Sequence, residues 1–391
     1  AQLFELVKLG TPPKVSRSSF HSMFGLKLNG ADHSDEQQVA RLARKIAASM
    51  TRPWTIMEVS GDLTQVLLRN NLFELLPPEL SLVHGPGCAV ASVPVHIFDR
   101  AIAVAQEPNV IFCAPAELLR IPGSSKDLLE VKAQGFDVRV VYSPLECIGI
   151  ARSNPDSRVV LFDVGFENNV QMDALAVWQA RRLGVNNFLL LSYHANLPPV
   201  VSSLLSDSNC MVNAVLGPGQ ICCVTGYESY EAIAEATGRP IVITGFEPVD
   251  ILEGILKSVN MLEYGKVSVE NQYKRAASRQ GNLEVRALIS EVFAPCEREW
   301  RGIGVVPMAG YALRPEFAAF DGHLAFEPSE PCSPEANGCI SSQIWRGLKK
   351  PFECPLYGKA CKPDSPQGAT MVSADGTCAA YYKHQRARSL S

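Results

Sequence analysis

Residues 158–194 read "RVVLFDVGFENNVQMDALAVWQARRLGVNNFLLLSYH", and this stretch decides the fold. Its first eight residues form an apolar, β-branched run of strand length. The segment "MDALAVWQARRLG" then carries apolar residues at helical spacing, and "NFLLLSYH" is a second strand. Two runs apolar on both faces and joined by a helix pair in parallel in a sheet covered on both sides. Working outward, the same alternation predicts strands at 55–59, 80–84, 109–114, 137–142, 158–165, 187–193, 211–216 and 240–245. Helix patterns fall at "EQQVARLARKIAASM" (36–50), "HIFDRAIAVAQ" (96–106) and "DILEGILKSVNMLEYG" (250–265). The expected fold class is α/β, with two doubly wound parallel-sheet domains and a small irregular C-terminal domain.

The whole-chain numbers fit that picture. With 391 residues, 47% hydrophobic and 19% charged, the chain can bury more than one core. A formal net charge of −4 argues against a nucleic-acid surface or a basic membrane patch. No apolar run approaches a membrane span, and "AQLFELVKLG" lacks the basic-then-apolar layout of a signal peptide. A cytoplasmic protein is expected.

Two short signatures each occur twice after an apolar strand. "HGPGC" (84–88) is echoed by "LGPGQ" (216–220), and "VGFEN" (164–168) by "TGFEP" (244–248). The repetition predicts two similar halves, 34–143 and 144–262, after an irregular arm at 1–33 and before a helical linker and cysteine domain at 263–391. A Gly-Pro-Gly turn lets backbone or ligand approach closely, and ligands of open parallel sheets bind beyond the strands' C-terminal ends. Cys88, Glu167 and Glu247 are therefore expected to face crevices, with turn glycines and helix-capping carboxylates as the plainer reading. His194, at a strand end, joins Glu167 and Glu247 as an acid–base candidate for small-molecule chemistry in a crevice. Hydrogen-bonded structural histidine is its plainer reading. No GxGxxG or Walker A pattern occurs.

Twelve cysteines are many for a reducing compartment. Cys113, Cys147, Cys210 and Cys296 read as small buried hydrophobes, and the adjacent Cys222–Cys223 pair as poor joint ligands. Cys332 carries no motif either. Four others, Cys339, Cys354, Cys361 and Cys378, stand C-x14-C-x6-C-x16-C among Gly, Pro and Lys. Clustered thiols there read as metal ligands, and gaps wider than a zinc knuckle favour a [4Fe–4S] cluster over zinc. No additional bound iron is expected.

From about residue 50 the chain resembles the HypD family of [NiFe]-hydrogenase maturation proteins. The match runs through "IMEVSG" (56–61), "VHGPGC" (83–88), "PGS" (122–124), "VVYSPLE" (140–146), "GFE" (165–167), "GFEPVDIL" (245–252), "VENQY" (269–273) and "REWRGIG" (298–304). It continues through "CPLYGKAC" (354–361), "MVSADGTCAAYY" (371–382) and the four-cysteine spacing. The resemblance implies two α/β domains and a [4Fe–4S] domain. It implies a scaffold, formed with a small HypC-like partner, on which iron receives two cyanides and one CO, with a HypE-like protein and HypF supplying cyanide. The family's iron centre uses C-G-x-H-x-H and G-P-G-C-P-V-C motifs. Here the first reads Ser60-Gly61-Asp62-Leu63-Thr64-Gln65, and the second ends Cys88-Ala89-Val90-Ala91. Ser60 and His84 thus occupy the positions of a degenerate iron site, and Cys88 has lost the neighbour with which it would form a dithiol. The resemblance therefore implies a divergent paralogue. Either it is a maturation scaffold with altered iron ligands, or a non-catalytic structural or regulatory subunit of another metalloprotein system.

Overall fold

The computed structural model describes residues 36–326 and 338–388. The expected arm 1–33 and Cys332 lie outside the described residues. The fold is α/β, built on two sheets. The first is fully parallel, in the order β2 (Leu80–His84), β1 (Trp54–Glu58), β7 (Ala214–Pro218), β8 (Ile241–Thr244) and β9 (Val269–Asn271). The second has a parallel body of β6 (Phe188–Ala195), β5 (Arg158–Gly165), β3 (Val110–Ala114) and β4 (Val138–Val140). An antiparallel hairpin, β10 (Phe293–Trp300) and β11 (Gly304–Leu313), extends it beyond β6.

Alternate residues along each strand point to opposite faces, and both faces are buried. In the second sheet Phe112, Val160, Phe162, Leu189 and Leu191 pack on one side. Ile111, Val159, Leu161, Phe188 and Leu190 pack on the other. The first sheet divides the same way, with Met57, Val215 and Ile241 on one face and Ile56, Leu82, Ala214 and Val242 on the opposite one. This two-sided burial is why the strands read as continuous apolar runs.

The sheets do not follow the sequence halves expected at 34–143 and 144–262. β1 and β2 share a sheet with β7–β9, while β3 and β4 share one with β5 and β6. The chain leaves the first sheet after β2, returns for β7, and leaves again for the β10–β11 hairpin. That hairpin lies where the sequence pattern of strands and helices fades. Between its buried ends β10 alternates half-buried and exposed residues, and neither strand forms a continuous buried run.

The C-terminal region, 338–388, is irregular apart from short helical turns and the helix Thr377–Arg388. It has a small core of its own, formed by Ile344, Cys361, Met371, Cys378 and Ala379. Among the described residues no helix is long and apolar enough to cross a membrane.

Candidate functional site

In each sheet the strand order reverses once: around β1, with β2 on one side and β7 on the other, and between β3 and β5. Loops leaving such a point diverge and open a crevice at the strands' C-terminal ends. Both reversals face the same cleft, of about 150 Å³. Ser60, Gly61 and Asp62 follow β1, and Gly87 and Cys88 follow β2. Glu117 comes from the loop after β3, Gly165, Phe166 and Asn168 from the end of β5, and Gln220 from the end of β7. The cysteine-bearing region closes the cleft with Ser373 and Asp375.

The backbones meet tightly here. Gly61 N–H donates to Gly87 O at 2.8 Å, and a Cβ on Gly87 would lie 2.6 Å from the backbone of Ser60 and Gly61. The polar lining is mostly oxygen. Gln220 Nε2 donates to Ser60 Oγ at 2.7 Å and to Asp62 Oδ2 at 3.1 Å. Burial, then the charges of Asp375 and Glu58, raise the pKa of Asp62. Burial and Asp375 raise that of Glu117. Cys88 is buried, and loss of solvent pushes its thiol up to about 11, against partial relief from a hydrogen bond with Ser373. At neutral pH it is a protonated thiol, not an activated thiolate.

Of the candidate residues, the cleft gathers Cys88 and Ser60. Glu167 sits just behind the wall and turns inward, where Oε1 accepts Leu197 N–H at 3.1 Å. Glu247 is the N-cap of the helix Pro248–Glu263 in a reciprocal pair with Asp250, and its carboxylate lies 3.7 Å from Arg275. Neither residue is among those that line the cleft. His194 is fully buried with Asp173, Nε2 to Oδ2 2.8 Å. Burial lowers His194 to about 4 and raises Asp173 to about 8, so the pair sits neutral between β6 and the helix Glu167–Leu183. His84 is buried between Glu58 and Tyr381 rather than lining the cleft. Leu63 and Ala91 are core residues, and Gln65 Nε2 donates to Ala374 O at 2.5 Å.

Sequence reasoning passed over Glu58, Asp62, Glu117, Gln220 and Asp375. Glu58 had a visible signal, a carboxylate at the end of an otherwise apolar strand. Asp375 lay within the matched segment 371–382, but nothing local ties it to the loop it faces, more than 300 residues away.

The four C-terminal cysteines come together in the irregular region, and the described cysteines form no disulfide. Cys354, Cys361 and Cys378 are buried. Burial pushes Cys378 up to about 12, partly offset by Thr370 and reinforced by the nearness of Cys339, Cys361 and Cys354. Thr370 Oγ1 donates to Cys378 Sγ at 3.0 Å, and Gln367 N–H to Cys361 Sγ at 3.3 Å. A Cβ at Gly368 would collide with Cys339 Sγ. Among the described residues no three His, Cys, Asp or Glu converge on the position of a single ion.

The family profile for HypD, described as "Hydrogenase formation hypA family", matches residues 37–385. The chain belongs to the HypD family. It is 38% identical to the hydrogenase maturation factor HypD of Rhodobacter capsulatus, over 90% of this chain and 94% of that one. To the HypD of Escherichia coli K12 it is 37% identical, over 89% and 93%. To that of Azotobacter vinelandii it is 38% identical, over 90% and 96%. The HypD match thus takes in both sheets, the cleft and the cysteine region together. Among solved structures, a conserved domain protein from Vibrio cholerae aligns at 12% identity over 70% of this chain and 99% of that one. Its TM-score of 0.14 carries no argument.

Proposed function

We propose that the protein is an iron–sulfur scaffold of the hydrogenase-maturation type, acting in the assembly of a metal centre. The observation that carries this reading is the joint construction of the cleft. Loops of both sheets and the segment between Met371 and Cys378 meet at one small, polar, thiol-bearing site. A cavity so closely tied to a cysteine cluster suits a protein that holds a metal unit while another group is attached.

Cys339, Cys354, Cys361 and Cys378 fit a [4Fe–4S] cluster. Each thiolate of such a cluster binds a different iron, so convergence on one point is not required. Thr370 and Gln367 supply hydrogen bonds to sulfur of the kind that tune a cluster. The Cys378 thiol, raised by burial and by the nearness of the other three cysteines, is relieved by a bound cationic group. When bound, the cluster supplies one-electron chemistry. The protein's own part is to bury the sulfurs and hold this region against the cleft.

The cleft does not fit iron anchored by thiolates. Ser60 offers a hydroxyl already engaged by Gln220, and Cys88 is protonated at neutral pH. His84 and His194 are occupied elsewhere and cannot substitute. This observation favours a second reading within the family, a non-catalytic paralogue that keeps fold and cluster as a structural or regulatory subunit of another metalloprotein system. A HypC-like small protein and a HypE-like protein are the partners of the first reading, and a metalloprotein subunit of the second. Both readings place the protein in the cytoplasm.

Anaerobically purified protein is expected to hold about four irons and four sulfides per chain, with no infrared bands of iron-bound CO or cyanide. Zinc without acid-labile sulfide would refute the cluster. Expressed in a strain lacking its own HypD, the protein is expected to leave hydrogenase activity unrestored. Restored activity would return it to the plain scaffold role and show the altered cleft residues to be dispensable.

A further inference from the structure

Glu58 ends β1 with its side chain buried, where an unpartnered carboxyl group is costly. Each of its oxygens is engaged. Oε2 accepts the amide N–H of Ser60 at 2.8 Å, and Oε1 accepts Thr64 Oγ1 and lies 2.6 Å from His84 Nδ1. His84 is fully buried, and desolvation lowers its pKa, so the ring is neutral and carries one donor and one acceptor nitrogen. Nδ1 faces Glu58, and Nε2 faces the Tyr381 hydroxyl 2.8 Å away, with the two rings edge to face at 5.3 Å. Tyr381 lies one turn after Cys378 on the helix Thr377–Arg388. An unbroken chain of hydrogen bonds therefore runs from the cysteine helix to the backbone of a cleft residue.

A second tie joins the same parts. Gln65, on the helix Gly61–Arg69, donates to Ala374 O and faces His384 Nε2 at 3.1 Å. Between these ties, Asp375 O sits 2.7 Å from where a Cβ of Gly61 would lie, and Ser373 hydrogen-bonds Cys88. A contact needed for packing alone could be apolar. A buried, fully paired polar chain specifies one arrangement and loses much when one member is removed.

We propose that Glu58, His84 and Tyr381 are positioning residues through which the state of the cysteine region sets the geometry of the cleft. Metal bound by the four cysteines orders the Tyr381 helix, His84 and Glu58 pass that order to the Ser60 loop, and Ser373 closes over Cys88. Without the metal, or without the phenol hydroxyl, the cleft opens and Cys88 is uncovered. This rests on the metal-binding reading of the cysteines.

Iodoacetamide labelling of Cys88, read by peptide mass spectrometry, tests it in the full chain. Metal-loaded and metal-stripped wild type and Tyr381→Phe are compared, with iron and sulfide measured in each. Tyr381→Phe removes one oxygen and keeps the ring, and labelling of core residue Cys147 reports any global unfolding. In the wild type, stripping is expected to speed Cys88 labelling about tenfold, the factor that loss of one buried hydrogen bond allows. In Tyr381→Phe, Cys88 is expected to label at nearly the stripped rate whether loaded or not, with Cys147 protected. Labelling of Tyr381→Phe identical to wild type in both states would overturn the proposal. Protein that binds no iron would refute the cluster instead. In that case the wild type is expected to label at Cys88 as fast as Tyr381→Phe, since neither holds the cleft closed, and slower labelling of the metal-free wild type would overturn the dependence on metal.

Discussion

Glu167 is buried, and burial disfavours its charged form. Burial raises its carboxyl to about 7, against partial relief from its own amide N–H and that of Leu197. A carboxyl whose folded pKa lies above its unfolded value holds an extra proton in the fold. Its contribution to stability is complete below the unfolded value of 4.5 and is lost as pH rises through about 7. The loss is about 3 kcal/mol for this fully buried group. Gln at this position keeps an oxygen for Leu197 N–H and never ionises. Glu167→Gln is therefore expected to match or exceed the wild type in melting temperature at pH 8, and to lose that advantage by pH 4.5. A constant difference across that range would mean that Glu167 stays ionised in the fold. The sequence placed Glu167 at a strand end near a crevice, but not the inward turn of its side chain. That turn exists because Leu197, at the start of the next helix, offers an unpaired N–H within reach.

Among elements, the repeated Gly-Pro-Gly and Gly-Phe-Glu signatures show how a local motif can be read rightly and placed wrongly. Both Gly-Pro-Gly turns do bring backbones close: Gly87 against Ser60 and Gly61, and Gly219 against Thr244. Both, however, end strands of the same sheet rather than marking one turn in each half. The Gly-Phe-Glu turns end strands of different sheets, and their glycines leave room for Asn169 and Asp250 in the helices that follow. The shared requirement is a tight strand-to-helix turn, which any parallel sheet imposes. Both Gly-Pro-Gly signatures reach the cleft, through Gly87 and Cys88 and through Gln220, whereas of the Gly-Phe-Glu pair only the first does, through Gly165, Phe166 and Asn168. Gly87→Ala is expected to destabilise by about 3 kcal/mol, since its neighbours are backbone and cannot yield. Gly149→Ala, exposed on the helix Pro144–Ser153 with nothing within 4 Å, is expected to stabilise by about 0.5–1 kcal/mol. Chemical denaturation of the two variants checks both, and an unperturbed Gly87→Ala would mean that the Ser60 loop can move aside.

At the scale of the molecule, the interleaving of the sheets governs what can fold alone. A fragment of residues 34–143 holds β1 and β2 without β7, which pairs β1 through Ile56, Met57 and Glu58, and holds β3 without β5. Each partial sheet would expose an apolar face and an unpaired edge. The fragment is expected to show no cooperative thermal unfolding, whereas 36–326 is expected to unfold cooperatively. A folded 34–143 would restore the simple sequential division.

The sequence by itself determined the strands and helices up to about residue 263, the α/β class and the family. Apolar runs and helical periodicity are local signals, and sheets buried on both faces make them strong. It also marked the four cysteines by spacing, and Ser60 and Cys88 by their place in motifs. Sheet membership was left to the tertiary structure, because the β1–β7 pairing that decides it joins strands more than a hundred residues apart and leaves no mark on either. The same holds for the cleft. Asp375, Ser373 and Tyr381 reach Ser60, Cys88 and His84 only when the C-terminal helix packs on the first sheet. Whether His84 and His194 meet a ligand or a carboxyl group was likewise decided by what the fold buried beside them.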